Sequence, residues 1–217
     1  MAVHELRIPL KDSDVAPLEL GDLLYLSGPA FTCRSRLQRY VFDEQHRLPF
    51  STEQRNVLIH SGPIMVRAVG GWKPVSLMPT SSLRFERWGA RSVREWGLKA
   101  IIGKTTMGAE TARAMQERCC IHACPQCVSP NLWLDSIEVE GVHLLDELGS
   151  IEAAWQLSLD RFGPFMVDID ARGNSYFDRM DTVVAANLPE AYRMLGIPPG
   201  FEPTRLWNTR ERPGNGR

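Results

Sequence analysis

Short apolar runs separated by turn residues recur along the chain and predict most of its strands. Four of these runs are nearly continuous in apolar residues, a pattern typical of strands buried on both faces. They are LLYLSG (23–28), VLIHSGP (57–63), VSLMPTSS (75–82), where the strand stops at Pro79, and LKAIIG (98–103). VHELRIPL (3–10) alternates loosely and predicts an edge strand, and 164–177 predicts a strand followed by a turn at Gly173.

Helical spacing of apolar residues predicts helices between and after these strands. The predicted helices are 34–42, 81–97, 108–118, 150–159 with Ser150 as its N-cap, and 180–196. Strands and helices mix without a steady βαβ alternation, so the pattern predicts one α/β domain with a layered mixed sheet and flanking helices. We place this domain at 1–196 and a tail rich in Pro, Gly and Arg at 197–217.

Composition narrows the class of protein without identifying it. The 217 residues are 43% hydrophobic, which is enough for a sizeable core, and the net charge of -1 gives no general attraction to nucleic acid or to a membrane surface. No run of about 18 apolar residues predicts a membrane span. Charges near the N-terminus argue against an export signal, so we expect a cytoplasmic protein. The five cysteines then indicate thiols or ligands more than a disulfide framework.

The stretch AIIGKTTMG (100–108) resembles a nucleotide-binding P-loop but lacks its spacing. A P-loop requires a Gly five residues before the Gly of Gly-Lys-Thr, and that position is Leu98. What remains is a Lys at the carboxyl end of a strand with a helix soon after it, which suits a small anion. A solvated turn residue is the alternative for Lys104.

Two further segments place a cation in the same setting. In PTSSLR (79–84), Thr80 offers a hydroxyl, and Arg84 lies one turn into a predicted helix from which it can reach back. A simple helix N-cap is the alternative for the Thr and Ser residues. Arg34 follows a strand and a Gly-Pro turn. Three cations and one hydroxyl at such junctions would suit a dicarboxylate, since Arg binds carboxylates with two parallel bonds.

A dense cysteine patch lies at 117–130. It contains Cys119, Cys120, Cys124 and Cys127, with His122 among them. Three interpretations stay open: small packed residues, a metal site, or a redox pair in the Cys-x-x-Cys spacing. A complete zinc site usually combines two separated ligand pairs, and here there is one patch. His60, at a strand end, and Asp168 and Asp170, on one strand face, are interpreted as structural.

Four blocks in this order resemble the β subunit of class I fumarate hydratase and L-tartrate dehydratase. They are GDLLYLSGPAFTCR (21–34), SGPIMVRAVGGWKPVSLMPTSSLR (61–84), GLKAIIGKTTMG (97–108) and FMVDIDARGNSYFD (165–178). The resemblance implies a swivelling β/β/α domain that closes over a site on a partner α subunit, in an α2β2 hetero-oligomer. The partner would carry a [4Fe–4S] cluster, with no cofactor on this chain.

The resemblance also implies roles for individual residues. Arg34, Arg84 and Lys104 would bind the carboxylates of a small dicarboxylate substrate. Thr80 would lie near the reacting carbon, so that Thr80 and Lys104 are the catalytic candidates. Ser81 stands where the family has a second Thr and is a further substrate-binding candidate.

Besides Ser81, this sequence departs from the family pattern at three further positions. Ser35 replaces an Asp after the first Arg, Gln38 replaces a His, and Thr105 replaces the Gly after the Lys. These changes leave an anion site in place and allow a different hydroxy acid as substrate. We therefore expect the β subunit of an iron–sulfur hydro-lyase, inactive without its α subunit. The alternative is a stand-alone module that binds a small anion or a metal without catalysis.

Overall fold

The structure is a computed structural model that describes residues 1–127, 129–198 and 200–202. The chain divides into two compact units, Met1–Tyr176 and Phe177–Arg217. The domain boundary expected at residue 196 stays a prediction, and the part of the expected tail at 203–217 lies outside the described residues.

Nine strands occur in the described residues. They are β1 (Val3–Arg7), β2 (Leu23–Cys33), β3 (Val57–His60), β4 (Ile64–Ala68), β5 (Gly71–Ser76), β6 (Ala100–Ile102), β7 (Ile121–Pro125), β8 (Ile137–His143) and β9 (Ala154–Ile169). The α-helices are α1 (Asp12–Val15), α2 (Ser35–Gln38), α3 (Glu86–Glu95), α4 (Ala109–Arg118), α5 (Leu145–Leu148) and α6 (Tyr176–Met194). Short 3-10 helices cover Ser82–Phe85 and Leu134–Ser136, and a π-helical turn covers Arg39–Asp43.

The main sheet confirms the predicted α/β class. Its order is β1-β2-β3-β6-β7-β9-β8, and the first five of these strands run parallel. Every residue of β3 and β6 is buried, as their unbroken apolar sequence predicts. The strands predicted at 23–28, 57–63 and 98–103 are thereby confirmed, and β1 lies at the sheet edge as expected.

Strand β9 is antiparallel to three neighbours and closes part of the sheet into a ring. It pairs with β7, with β8 and, along much of its length, with β2. The first part of this strand is where a helix was predicted at 150–159, so that prediction is wrong. The buried residues Trp155, Leu157 and Leu159 alternate with Gln156 and Ser158, which are less buried. Pairing on both sides fixes this period of two and overrides the helical propensity of the segment.

Apolar residues pack on both faces of the sheet in two clusters. One contains Trp155, Phe162 and Phe165 together with buried residues near the N-terminus, such as Leu10 and Leu18. The other lies under α3 and α4 and contains Phe31, Trp96 and Met115. The helices predicted at 34–42, 81–97 and 108–118 form the cover on this second face, largely within the predicted bounds.

The segment predicted as a strand at 75–82 is shorter than expected. Strand β5 ends at Ser76 and forms a separate two-stranded sheet with β4. The following residues leave this hairpin and form isolated bridges to the main sheet through Pro79 and Ser81. The chain here is held by tertiary pairing, which an apolar run alone does not reveal.

The second unit contains most of the helix predicted at 180–196, which the structure confirms as α6. The helix has Pro189 in its interior and exposes several large apolar residues. Among the described residues, no helix combines the length and the apolar character that crossing a bilayer requires.

Candidate functional site

The three predicted cations lie at the carboxyl ends of parallel strands or next to them. Arg34 follows the last residue of β2, and Lys104 lies two residues after the end of β6. The strand register sets Cys33 beside His60 and Ile59 beside Ile102, so these strand ends meet at one edge of the sheet. This edge is where α/β sheets usually bind ligands.

The segment 79–82 lies between the ends of β3 and β6 and joins Thr80 directly to Lys104. The Thr80 amide donates to the His60 carbonyl at 2.6 Å, and the Lys104 amide donates to the Thr80 carbonyl at 3.1 Å. The Ser82 amide donates to the Lys104 carbonyl at 2.9 Å, and Ser81 pairs with Lys104 as in a parallel strand. Thr80, Ser81 and Lys104 are each half-buried at this point.

Arg84 returns to Thr80 across one turn. The 3-10 helix Ser82–Phe85 carries Arg84, whose Nη2 donates to Thr80 Oγ1. Neither Arg84 nor Lys104 forms a salt bridge within the described part of the chain. Both positive charges therefore stay available to an anion at the edge.

Arg34 differs from the other two cations because it faces a carboxylate of the same chain. Its Nε lies 3.3 Å from Glu152 Oε1, without an aligned hydrogen bond. The guanidinium also lies against Gly62, where a Cβ atom would come within 2.7 Å of Arg34 Nη1 and 2.6 Å of the Ile151 carbonyl oxygen. Glu152 thus offsets part of the Arg34 charge, and Gly62 leaves room for its side chain.

Thr105, the residue after Lys104, has a φ of +65°. A β-branched residue in the left-handed region is strained, which is why the resembling family's Gly would fit this turn better. The turn that presents Lys104 is therefore fixed at a cost in stability.

Directly beneath this cluster lies a buried polar network that the sequence did not predict. His60 Nδ1 lies 2.9 Å from Ser82 Oγ, and His122 Nε2 lies 2.8 Å from the same oxygen. His122 Nδ1 lies 2.6 Å from Asp168 Oδ1. All four residues have 0% exposure. The sequence had singled out His60 at its strand end, His122 in the cysteine patch and Asp168 on a strand face, but separately; their connection through Ser82 depends on the fold.

The network leaves no room for a side chain at Gly103. Within it the pKa of His60 is lowered, and next to it the pKa of Cys124 is raised. A Cβ atom at Gly103 would lie 1.9 Å from Ser82 Oγ. Burial, then the neighbouring His122 ring and the Arg84 charge, hold the pKa of His60 well below its usual value of 6.5. Burial and the Asp168 carboxylate raise the pKa of Cys124 to about 12, so this thiol stays protonated.

The cysteine patch does not converge on one point. Cys120 packs in the cluster under α3 and α4, whereas Cys119 and Cys127 pack against the other cluster. Burial raises the pKa of Cys119 and of Cys120, which disfavours the thiolate that a metal or a redox reaction requires. In the described part of the chain, no three His, Cys, Asp or Glu residues are grouped as a metal or cluster site would need.

Asp170 directly follows the last residue of β9 and has a structural role. It accepts hydrogen bonds from the amides of Arg172 and Asn174 and from the Asn174 side chain, which fixes the predicted turn at Gly173. The structure thus brings the predicted residues Thr80, Ser81, Arg84 and Lys104 together at this edge and places Arg34 at the end of β2.

Comparison with known proteins shows to which family the chain belongs. Residues 3–180 match the family described as Fumarase C-terminus. The chain is 31% identical to the L(+)-tartrate dehydratase subunit beta of Escherichia coli K12 over 171 residues, which cover 78% of this chain and 84% of the relative. A protein of Methanocaldococcus jannaschii, provisionally named as the same subunit, is 30% identical over 83% of this chain and 94% of its own.

A third protein that the chain resembles is much longer than the chain. It is from Geobacillus stearothermophilus, is provisionally named a class I fumarate hydratase, and is 30% identical over 82% of this chain but only 34% of its own length. These matches confirm the resemblance carried by the four sequence blocks. The chain belongs to the Fumarase C-terminus family.

Proposed function

We propose that this chain is the β subunit of a hydro-lyase that adds or removes water on a small hydroxy dicarboxylate. The observation that carries the proposal is the backbone-linked cluster of Thr80, Arg84 and Lys104 at the sheet edge. Arg84 donates to the Thr80 hydroxyl and Lys104 is bonded to the Thr80 backbone, and neither cation has a carboxylate partner in the described chain. Such a pair of cations beside a hydroxyl suits a hydroxy acid with carboxylate groups.

The assembly proposed for this activity has two kinds of subunit. The relative from Escherichia coli is named a subunit beta and has most of its length covered by this chain, which supports a separate α subunit rather than a single long chain. We propose a swivelling domain whose cationic edge closes over a site shared with that subunit, in a cytoplasmic α2β2 complex.

The chemistry follows from the charges at the edge. Dehydration removes a proton from the carbon next to a carboxylate, and negative charge then spreads onto that carboxylate. Lys104 and Arg84 stabilise this charge, and a fixed cation in a half-buried site does so without reorganisation. Arg34, partly offset by Glu152, would orient a second carboxylate.

Thr80 would face the carbon that loses its proton. A neutral hydroxyl is a weak base, so it needs a neighbour that favours its deprotonated form. The guanidinium of Arg84, donating to Thr80 Oγ1, is such a neighbour. The family's iron–sulfur cluster would act as a Lewis acid on the departing hydroxide. The described residues here do not fit such a cluster, so we place it on the α subunit.

An anaerobic pull-down of the tagged chain from its host tests the assembly. We expect a partner that contains iron and sulfide, and a pair that hydrates fumarate or dehydrates malate or tartrate. Recovery of the chain alone, without activity on any of these acids, would contradict the proposal and favour a module that binds a small anion.

A pair of lysine variants tests the site within that complex. Lys104→Ala should lower kcat/KM roughly 100-fold, the effect typical of losing one group that stabilises developing charge. Lys11→Ala is the matched control, since Lys11 is exposed at the start of α1. Equal activity of the two variants would remove Lys104 from the site.

A further inference from the structure

The buried network of His60, Ser82, His122 and Asp168 has a hydrogen-bond direction that can be worked out from its donors and acceptors. An ionised Asp168 only accepts, so His122 donates to it from Nδ1. If His122 carries its single proton on Nδ1, its Nε2 accepts from the Ser82 hydroxyl. Because Ser82 has a single proton, its oxygen must accept from the other imidazole, through His60 Nδ1–H.

The remaining nitrogen of the network agrees with this direction. His60 Nε2 is buried and has no hydrogen-bond partner among the described residues. If His60 donates from Nδ1, this nitrogen carries no proton, and no buried N–H group is left unpaired. Burial, the neighbouring His122 ring and the Arg84 charge hold the pKa of His60 low, which keeps its ring neutral.

The same residues hold the segment that forms the candidate site. The His60 carbonyl accepts from the Thr80 amide, and the Ser82 amide donates to the Lys104 carbonyl. His60 and Ser82 are thus each joined to the site by the backbone and to the network by the side chain. Gly103 lies against Ser82 Oγ and leaves no room for Ser82 to move toward it.

We propose that His60, Ser82, His122 and Asp168 form a positioning network in which hydrogen bonds are donated in one direction, from His60 to Ser82 to His122 to Asp168. The network fixes the backbone of Thr80 and Lys104 from below. Ser82 is its central positioning residue, because both imidazoles bind its single hydroxyl. The effect on turnover rests on the proposed hydro-lyase function, whereas the direction of the hydrogen bonds does not.

Nitrogen NMR of the full chain labelled with [15N]histidine tests the direction without any catalytic assay. The proposed direction requires that, at about pH 8, His60 and His122 each carry a proton on Nδ1 and none on Nε2. A proton on Nε2 of either ring would reverse at least one bond of the network and overturn the proposal. This measurement needs no variant, so it remains decisive even where a substitution prevents folding.

The Ser82→Ala variant tests the tautomers of the two histidine rings individually. Asp168 still selects the Nδ1–H form of His122, so that signal should stay, while His60 loses the acceptor that selects its tautomer and its signals should change. An unchanged His60 tautomer would show that Ser82 does not set it. Ser92→Ala is the matched control: Ser92 is also fully buried, and its Oγ accepts from Gln38 Nε2 at 3.1 Å, outside the network.

Kinetics of the assembled enzyme test the consequence for the site. Ser82→Ala should lower kcat roughly 10- to 100-fold with a smaller change in KM, as expected when reacting groups are slightly misplaced. Ser92→Ala should keep the wild-type kcat. Denaturation of both variants checks that their stabilities are comparable. Equal kcat in the two variants would overturn the positioning role and leave the hydro-lyase function intact. An inactive wild-type complex would contradict the function and leave the NMR test valid.

Discussion

Arg84 donates a hydrogen bond from Nη2 to the hydroxyl oxygen of Thr80, four residues earlier in the chain. The contact is local in sequence, but the site it belongs to is not. The Thr80 backbone is bonded to His60 on one side and to Lys104 on the other, so the pair is held between two strand ends. A cation that touches the hydroxyl and still faces solvent can stabilise negative charge on both the hydroxyl and a ligand.

Arg84→Ala should lower kcat/KM of the assembled enzyme roughly 100-fold, because it removes the charge beside Thr80. Arg84→Lys should restore only part of this loss, since an ammonium is a point charge and lacks the planar donor pair of guanidinium. Arg87→Ala is the control, as Arg87 is exposed on α3 and pairs with Asp43. Full activity in Arg84→Ala would exclude this contact from catalysis.

Thr105→Gly should stabilise the chain by about 1 kcal/mol, because glycine adopts the left-handed backbone without the cost that a Cβ atom adds. Thermal unfolding should show a midpoint higher by about 2–4 °C for a chain of this size. Thr105→Ala keeps a Cβ atom at a φ of +65° and should recover little of this gain. A lower midpoint in Thr105→Gly would mean that contacts of the Thr side chain outweigh the backbone strain.

Gly103→Ala should destabilise the fold by about 1–3 kcal/mol, the usual cost of adding a methyl group to a packed interior. The added Cβ would lie 1.9 Å from Ser82 Oγ, so Ser82 must shift and the buried network must deform. Gly141→Ala is the control, since the nearest atom to its Cβ would lie 3.5 Å away. Urea denaturation measures the free energy of unfolding of both variants. Similar values would show that the strand end accommodates the methyl group.

Stability should fall as the pH drops below about 6.5, the unfolded-state pKa of histidine. The folded pKa of His60 is depressed, so the unfolded chain binds a proton that the folded chain refuses, and unfolding free energy rises with pH in this window. One such group changes it by about 1.4 kcal/mol per pH unit until the folded pKa is reached.

His60→Gln tests the origin of this pH dependence. Urea denaturation between about pH 5 and 7.5, around the ordinary histidine pKa, should give a flatter stability profile in this variant by about one proton. His46→Gln is the control, because His46 is exposed and stacks only on Tyr40. A His60→Gln profile as steep as that of the wild type would assign the slope to other groups.

Of the parallel strands, β7 was not predicted, and β1 was predicted from a loose alternation at the sheet edge. The others were predicted because a strand buried on both faces has an unbroken apolar sequence. Strands β3 and β6 are examples in which every residue is buried. The start of β9 was predicted as a helix because Ser150 resembles a helix N-cap. Its strand conformation is imposed by pairing with the preceding strand β8 on one side and with β2, far earlier in the chain, on the other.

The residues of the candidate site also divide into those that the sequence predicted and those that only the fold reveals. Local spacing was enough to predict that Arg84 can reach back toward the start of its helix and that Lys104 and Arg34 follow strands; the contact with Thr80 Oγ1 comes from the structure. The buried partners were not predictable: Ser82 meets His122, and His122 meets Asp168, across separations of 40 and 46 residues.

What the sequence by itself determined is therefore strands β2, β3 and β6, the cations Arg34 and Lys104 that follow two of them, and the family, since each is encoded in adjacent residues. The tertiary structure alone decided the closing strand β9, the different charge environments of Arg34 and Lys104, and the network beneath Thr80. The physical reason is that hydrogen bonds and ion pairs between distant segments depend on strand register, which no local pattern in the chain encodes.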